Sequence, residues 1–260
     1  MDGNLKVTEM HSAHFPSFDG TQLAFHRSGE GRPVVMLHGL FSSAHMNWIK
    51  WGHHDRLAAA GFEVFMLDWR VHGNSPSPHD PAAYPGDVLV RDAAAFAQHL
   101  GLGAGEFDLV GFSLGARTAI HACAKAALTP RKLIACGMGV EGLSNWEKRA
   151  AHFIRVIDEF DTIKPGDPAY VARTFLKSQG VDRVAARLLL EALEPFDIAD
   201  LANITMPAQV ICGVDDKDNG SGADLAAALP NASFAEVPGH HLNSVTYPDL
   251  GEAIAAFLEA

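Results

Sequence analysis

A chain of 260 residues, 48% apolar and 20% charged, can bury one sizeable core and has an ordinary globular composition. A formal net charge of -11 with no basic cluster argues against nucleic acid and anionic membrane surfaces as partners, and no stretch approaches the roughly 18 apolar residues of a membrane span. Three cysteines, Cys123, Cys136 and Cys212, lie far apart in apolar surroundings, which suits reduced core thiols, and no C-x-x-C or H-E-x-x-H spacing points to a metal.

The start, Met1-Asp2-Gly3-Asn4-Leu5-Lys6, lacks a signal-type apolar stretch, so a cytoplasmic protein is expected. Residues 1–14, His11 and His14 among them, read as a loose tail. Residues 15–28, broken at Asp19-Gly20, read as a hairpin, and 29–33 as a turn. The apolar run 34–37 suits a strand buried on both faces and ends at His38-Gly39. A helical stretch near 48–60 leads to a strand over 62–67, closed by Asp68-Trp69-Arg70-Val71-His72-Gly73-Asn74-Ser75. A Pro-rich loop over 76–85 precedes a helix over 86–100. The strand 107–110 runs into Gly111-Phe112-Ser113-Leu114-Gly115, followed by an Ala-rich helix to about 127 and a strand over 133–138.

From about 140 to 201 the pattern is helical. Ser144-x-x-Glu147 has the form of a capping box. Trp146, Ala150, Phe153, Ile154 and Ile157 share one helical face, and Val181, Val184, Leu188 and Leu189 make another stripe. Asp167-Pro168 reads as an N-cap with proline at the first helical position. Alternation resumes with a strand over 208–212, a helix over 222–229, a strand over 233–237 and a helix over 249–258. The pattern predicts an α/β fold: a mostly parallel sheet with helices on both faces, and a helical cap inserted between two late strands. Residues 1–139 and 206–260 form the expected core and 140–205 the expected cap. The cap falls at the sheet edge where ligands bind in open α/β sheets.

Ser113 stands between a strand and a helix, flanked by two glycines. That context suits a nucleophile on a sharp turn, where side chains beside the serine would strike neighbouring backbone. The N–H groups that open the following helix can face negative charge. A serine hydroxyl is hardly ionised near neutrality, so it needs a base, an acid to orient that base, and N–H donors for an oxyanion. The loop after 208–212 offers Asp215, Asp216 and Asp218 as acids. The loop after 233–237 offers His240 and His241 as bases.

Together these motifs resemble the α/β-hydrolase superfamily, in its serine hydrolase (esterase-like) branch, over nearly the whole chain. His38-Gly39 resembles the family's oxyanion loop, and Gly111–Gly115 its nucleophile elbow. Asp68-x-Arg70-x-x-Gly73-x-Ser75 resembles the D-x-R-G-x-G-x-S segment, with Val71-His72 interrupting the usual spelling. Gly213-x-x-Asp216 resembles the acid loop, and its spacing selects Asp216. The usual G-x-G-H is absent. Pro248, seven residues after His241, selects His241 by the family's spacing and leaves His240 a neighbour. The resemblance thus implies Ser113, Asp216 and His241 as catalytic residues, the backbone N–H groups of Leu40 and Leu114 as oxyanion donors, and His38 as a brace for its loop.

It also implies a cofactor-free serine hydrolase acting through an acyl-enzyme on a small or medium acyl substrate: a carboxylic ester, thioester or lactone. Dehalogenases and epoxide hydrolases of similar layout carry aspartate at the elbow. A C–C bond hydrolase or a perhydrolase on the same triad, and a non-catalytic ligand receptor on the same fold, are the alternatives. Phe41, Phe112, Trp146 and Phe153 are candidates for the substrate pocket, and Glu141 is a rival acid. His53-His54-Asp55 reads as a solvated helix face. Arg70 and Arg117 lie near the elbow in sequence, but each reads equally well as structural, so no basic residue is assigned to a substrate carboxylate. The acidic chain disfavours anionic substrates, although a pocket can carry its own local sign. Oligomeric state is open, a homodimer included.

Overall fold

The computed structural model describes residues 9–260, and the reading of Met1–Lys6 falls outside them. The first strand begins inside what reads as a tail: β1 (Met10–Pro16) pairs antiparallel with β2 (Gln22–Ser28) across the expected turn. His11 and His14 therefore stand on a strand, both exposed. An edge strand with one buried side chain in seven carries no period-2 signal, which is why the sequence hides it.

The sheet continues with β3 (Arg32–Leu37), β4 (Phe62–Leu67), β5 (Asp108–Phe112), β6 (Lys132–Cys136), β7 (Ala208–Gly213) and β8 (Ala232–Val237). Its eight strands run in the order β1-β2-β4-β3-β5-β6-β7-β8, with β3 to β8 parallel to one another. Alternate residues of the apolar runs feed opposite faces. Val35, Leu37, Leu109 and Leu133 enter one core, while Val34, Met36, Val110 and Ile134 enter the other.

The helices are α1 (His53–Ala59), α2 (Val88–His99), α3 (Leu114–Ala124), α4 (Val140–Ser144), α5 (Trp146–Asp158), α6 (Tyr170–Ser178), α7 (Arg183–Glu191), α8 (Gly222–Ala228) and α9 (Pro248–Glu259). Side chains of α2, α3 and α8 join the first core, and those of α1 and α9 the second. The block α4–α7 lies between β6 and β7 in the chain and packs along a seam that includes Ile157, Leu176, Ala185 and Leu189. Among the described residues no helix is long and apolar enough to cross a membrane.

Several local expectations are corrected. The stretch 48–60 is split into a π-helical turn (His45–Ile49) and α1 by Gly52, whose φ is +71°. His53 and His54 are buried rather than solvated, with their rings on the carbonyls of Val245 and Trp48. The Ser144–Glu147 capping box does not form: Ser144 closes α4, and its hydroxyl donates back to the Val140 carbonyl. Asp167 caps a turn, accepting from the Ala169 N–H, and the helix starts later at Tyr170. Val184 faces outward, because Ala185, Ala186, Leu189 and Leu190 take the inner face of α7.

Candidate active site

β3 and β5 are neighbours at the centre of the sheet, where the strand order reverses, with Leu37 opposite Gly111. Loops leaving both strands open into one crevice. The elbow is tight because α3 turns back directly onto β3. A Cβ on Gly115 would collide with the Leu37 carbonyl, and one on Gly111 with the Gly115 backbone. Ser113 is forced to φ +51°, ψ -112°, a strained conformation for a non-glycine residue, while its N–H donates to the Cys136 carbonyl at 2.9 Å.

The loops after β7 and β8 lock together. The Asp215 N–H donates to the Gly239 carbonyl at 3.0 Å, and a Cβ on Gly213 would strike that same carbonyl. Gly239, at φ +97°, turns the chain so that the Asn243 carboxamide accepts from the His240 N–H at 2.7 Å. These constraints bring Asp216 and His241 to the serine. His241 Nδ1 lies 2.9 Å from Asp216 Oδ2, and His241 Nε2 lies 2.9 Å from Ser113 Oγ. A carboxylate only accepts, so Nδ1 carries the proton and Nε2 is free to accept from the serine hydroxyl. Burial pushes the Asp216 carboxyl up. The His241 hydrogen bond and charge, the Asp218 N–H and Arg149 outweigh it and hold the group below its ordinary value.

His240 points elsewhere: it is exposed, and its Nδ1 accepts from the Leu242 N–H. Glu141 is also apart, with Oε2 accepting from the Ser221 N–H. Arg70 is sealed in the core against Asp92 and Asp19.

Among the described residues, neither the Leu40 N–H nor the Leu114 N–H meets an internal acceptor. Their neighbours do. The Gly39 N–H donates to Asn47 Oδ1 at 2.9 Å, and the Phe41 N–H to His72 Nε2 at 3.0 Å. His72 is one of the two residues that interrupt the D-x-R-G-x-G-x-S spelling, and this contact gives it a physical task. Burial, with His38 nearby, pushes the His72 pKa down to about 3. The ring stays neutral, donates from Nδ1 to the Arg70 carbonyl and keeps Nε2 as an acceptor. His38 braces in the same way, donating from Nδ1 to the Gly39 carbonyl and accepting the Trp69 N–H at Nε2. Asn47 and His72 were not found by sequence reasoning. The interrupted motif is a signal for His72 alone, and no sequence motif marks Asn47.

The cleft has two lobes that share Leu40, Ser113, Val171, Phe175, His241 and Leu242. The smaller, about 400 Å³, is mostly apolar and includes Met46, Trp51, Phe112, Tyr170 and Val245. The larger, about 650 Å³, includes Phe41, Trp146 and Phe153 together with Arg117 and Arg149. Of the aromatic candidates, Phe112 therefore lines one lobe and the other three line its neighbour.

Known proteins resemble this chain on both sequence and shape. A family model described as alpha/beta hydrolase fold matches residues 32–183. N-formylmaleamate deformylase of Pseudomonas putida is 34% identical over 114 residues, which is 44% of this chain and 40% of that relative's length. An esterase from Exiguobacterium antarcticum superposes with a TM-score of 0.76 at 19% identity, over 95% of this chain and 99% of that one. The enol-lactonase from Burkholderia xenovorans LB400 gives 0.71 at 21% identity, over 95% and 100%. At these identities the two solved structures share the fold.

Proposed function

The chain belongs to the alpha/beta hydrolase family and is an enzyme of that fold acting on a small molecule, and from this premise we propose that it is a serine hydrolase of carboxylic esters, thioesters or lactones. The observation that carries the reading is the unbroken relay from Ser113 Oγ through His241 to Asp216, with 2.9 Å at each step. Ser113 Oγ attacks the acyl carbon while its proton passes to His241 Nε2, and Asp216 stabilises the resulting imidazolium. The oxyanion faces the N–H groups of Leu40 and Leu114. Collapse breaks the bond to the leaving alcohol or thiol, which takes the proton from His241. Water then gives a proton to His241, attacks the acyl-enzyme and releases the acid, restoring Ser113.

Residues 140–205 act in this reading as a cap, since α6 contributes side chains to both lobes and α5 to the larger one. The free, buried cysteines support a reducing compartment such as the cytoplasm. The test is labelling by a fluorophosphonate probe beside turnover of p-nitrophenyl esters of graded length, thioesters and lactones. Wild type is expected to label and turn over, and Ser113→Ala to do neither. A folded wild type that fails to label refutes the proposal and leaves a ligand receptor.

A further inference from the structure

The larger lobe holds two guanidinium groups that nothing in the relay uses. Arg117 sits on α3 one turn beyond Ser113 and is 3% exposed. It stacks over the Trp146 ring at 4.3 Å and donates from Nη2 to the Glu194 carbonyl, while its Nε is buried with no partner. Arg149 enters from α5, half-buried, and donates to the Asp218 carbonyl at 2.5 Å. Among the described residues neither forms a salt bridge. Arg32, Arg70, Arg131, Arg155 and Arg187, by contrast, each hold a carboxylate. The acid that acts most on Arg117, Asp87, is already bound by Lys125.

A buried cation without a counter-ion is costly. Burial, with Arg149 close by, pushes the Arg117 pKa down to about 10, and burial also lowers that of Arg149. Lys148 and His152 join the same wall, opposed by Glu141 and Asp218. Glu141 is engaged by the Ser221 N–H. Asp218 and Asp216 act on Arg149 from a distance without an ion pair, so neither guanidinium has a carboxylate bound to it, inside a chain of net charge -11.

We propose that the larger lobe is an anion subsite in which Arg117 and Arg149 bind a carboxylate borne by the substrate, so that the enzyme prefers acyl compounds derived from short diacids. This rests on the reading of Ser113 as the nucleophile. A bound carboxylate would supply the missing charge and accept from guanidinium N–H groups, as planar forks favour. The apolar lobe then takes the uncharged half of the substrate.

The test compares mono-p-nitrophenyl glutarate with its methyl-capped ester at pH 7.5, two substrates that differ only in the free carboxylate. Wild type is expected to favour the free acid in kcat/KM by about tenfold or more, the usual worth of a charge-assisted hydrogen bond. In Arg149→Gln that ratio should fall at least about fivefold. Arg117→Gln should do the same if it folds, and Arg149→Gln, at the half-buried position, decides the matter if it does not. A wild-type ratio at or below one overturns the subsite even though esters are cleaved. So does a ratio unchanged in Arg149→Gln. If neither ester is cleaved and Ser113 does not label, it is the serine hydrolase reading that fails. Calorimetry with monomethyl glutarate then decides the subsite: saturable binding lost in Arg149→Gln supports it, and no binding refutes it.

Discussion

The loops at the carboxyl edge of the sheet and the helices above them line the same cleft but are held by different forces. The loops grow out of a parallel ladder and are wedged together where backbone meets backbone, Gly115 against Leu37 and Gly213 against Gly239. Side chains hold several of their backbone N–H groups, as Asn47 does that of Gly39 and His72 that of Phe41. The α4–α7 block is joined by an apolar seam and by ion pairs at or near the surface, such as Arg187–Asp158 and the part-buried Arg155–Asp167. Exposed pairs contribute little and relax easily. On the proposed function, the contrast teaches a division of labour: the ladder positions the Ser113, His241 and Asp216 side chains, while the helices set the shape and charge of the cleft beside them.

The sharpest way to break this division is at the relay. Ser113→Ala or His241→Ala should lower kcat by about 10⁴-fold or more with circular dichroism unchanged, whereas His240→Ala should stay near wild type. Equal losses for both histidines would show that the loop after β8 is less selective than its hydrogen bonds imply.

Acid should loosen the loops. His38 and His72 are kept neutral by burial, His72 with a pKa of about 3 against an ordinary 6.5. The unfolded chain therefore binds more protons below pH 6.5. Stability is level above that value and declines as pH falls toward 3, by up to about 1.4 kcal/mol per pH unit for each histidine held neutral. Urea melts between pH 8 and 4.5 measure this, and a flat profile would show that the histidines charge in place.

Gly115→Ala sharpens the point about backbone contact. The added methyl meets the Leu37 carbonyl rather than a movable side chain, so a loss of about 3 kcal/mol is expected from denaturant midpoints. At the other end of the scale, Arg187→Ala in α7 should cost about 1 kcal/mol or less and leave kcat for a small ester near wild type. A large loss there would mean that the helices are as tightly bound into the fold as the ladder.

Much was legible in the chain. Apolar runs such as 34–37 and 62–67 marked the buried strands, and glycines marked the sharp turns that follow them. The order of Ser113, Asp216 and His241 followed from each standing just after a strand. Polar surroundings hid other features. β1 has too little buried surface to show a period, and the Ser144–Glu147 pattern fails because Ser144 is itself the last residue of α4 and Asn145 precedes α5.

What the sequence determined by itself was therefore whatever depends on neighbours along the chain: strand runs, turn glycines, helix faces and the order of the motifs. Only the tertiary structure decided that His241 rather than His240 reaches Ser113, that His72 holds Phe41, and that Arg117 and Arg149 share a wall with no carboxylate ion-paired to either among the described residues. The physical reason is range. Periodicity is set by steric and hydrogen-bonding preferences within a few residues, whereas these contacts join positions 31 to 128 residues apart, where packing of whole elements chooses which side chains meet.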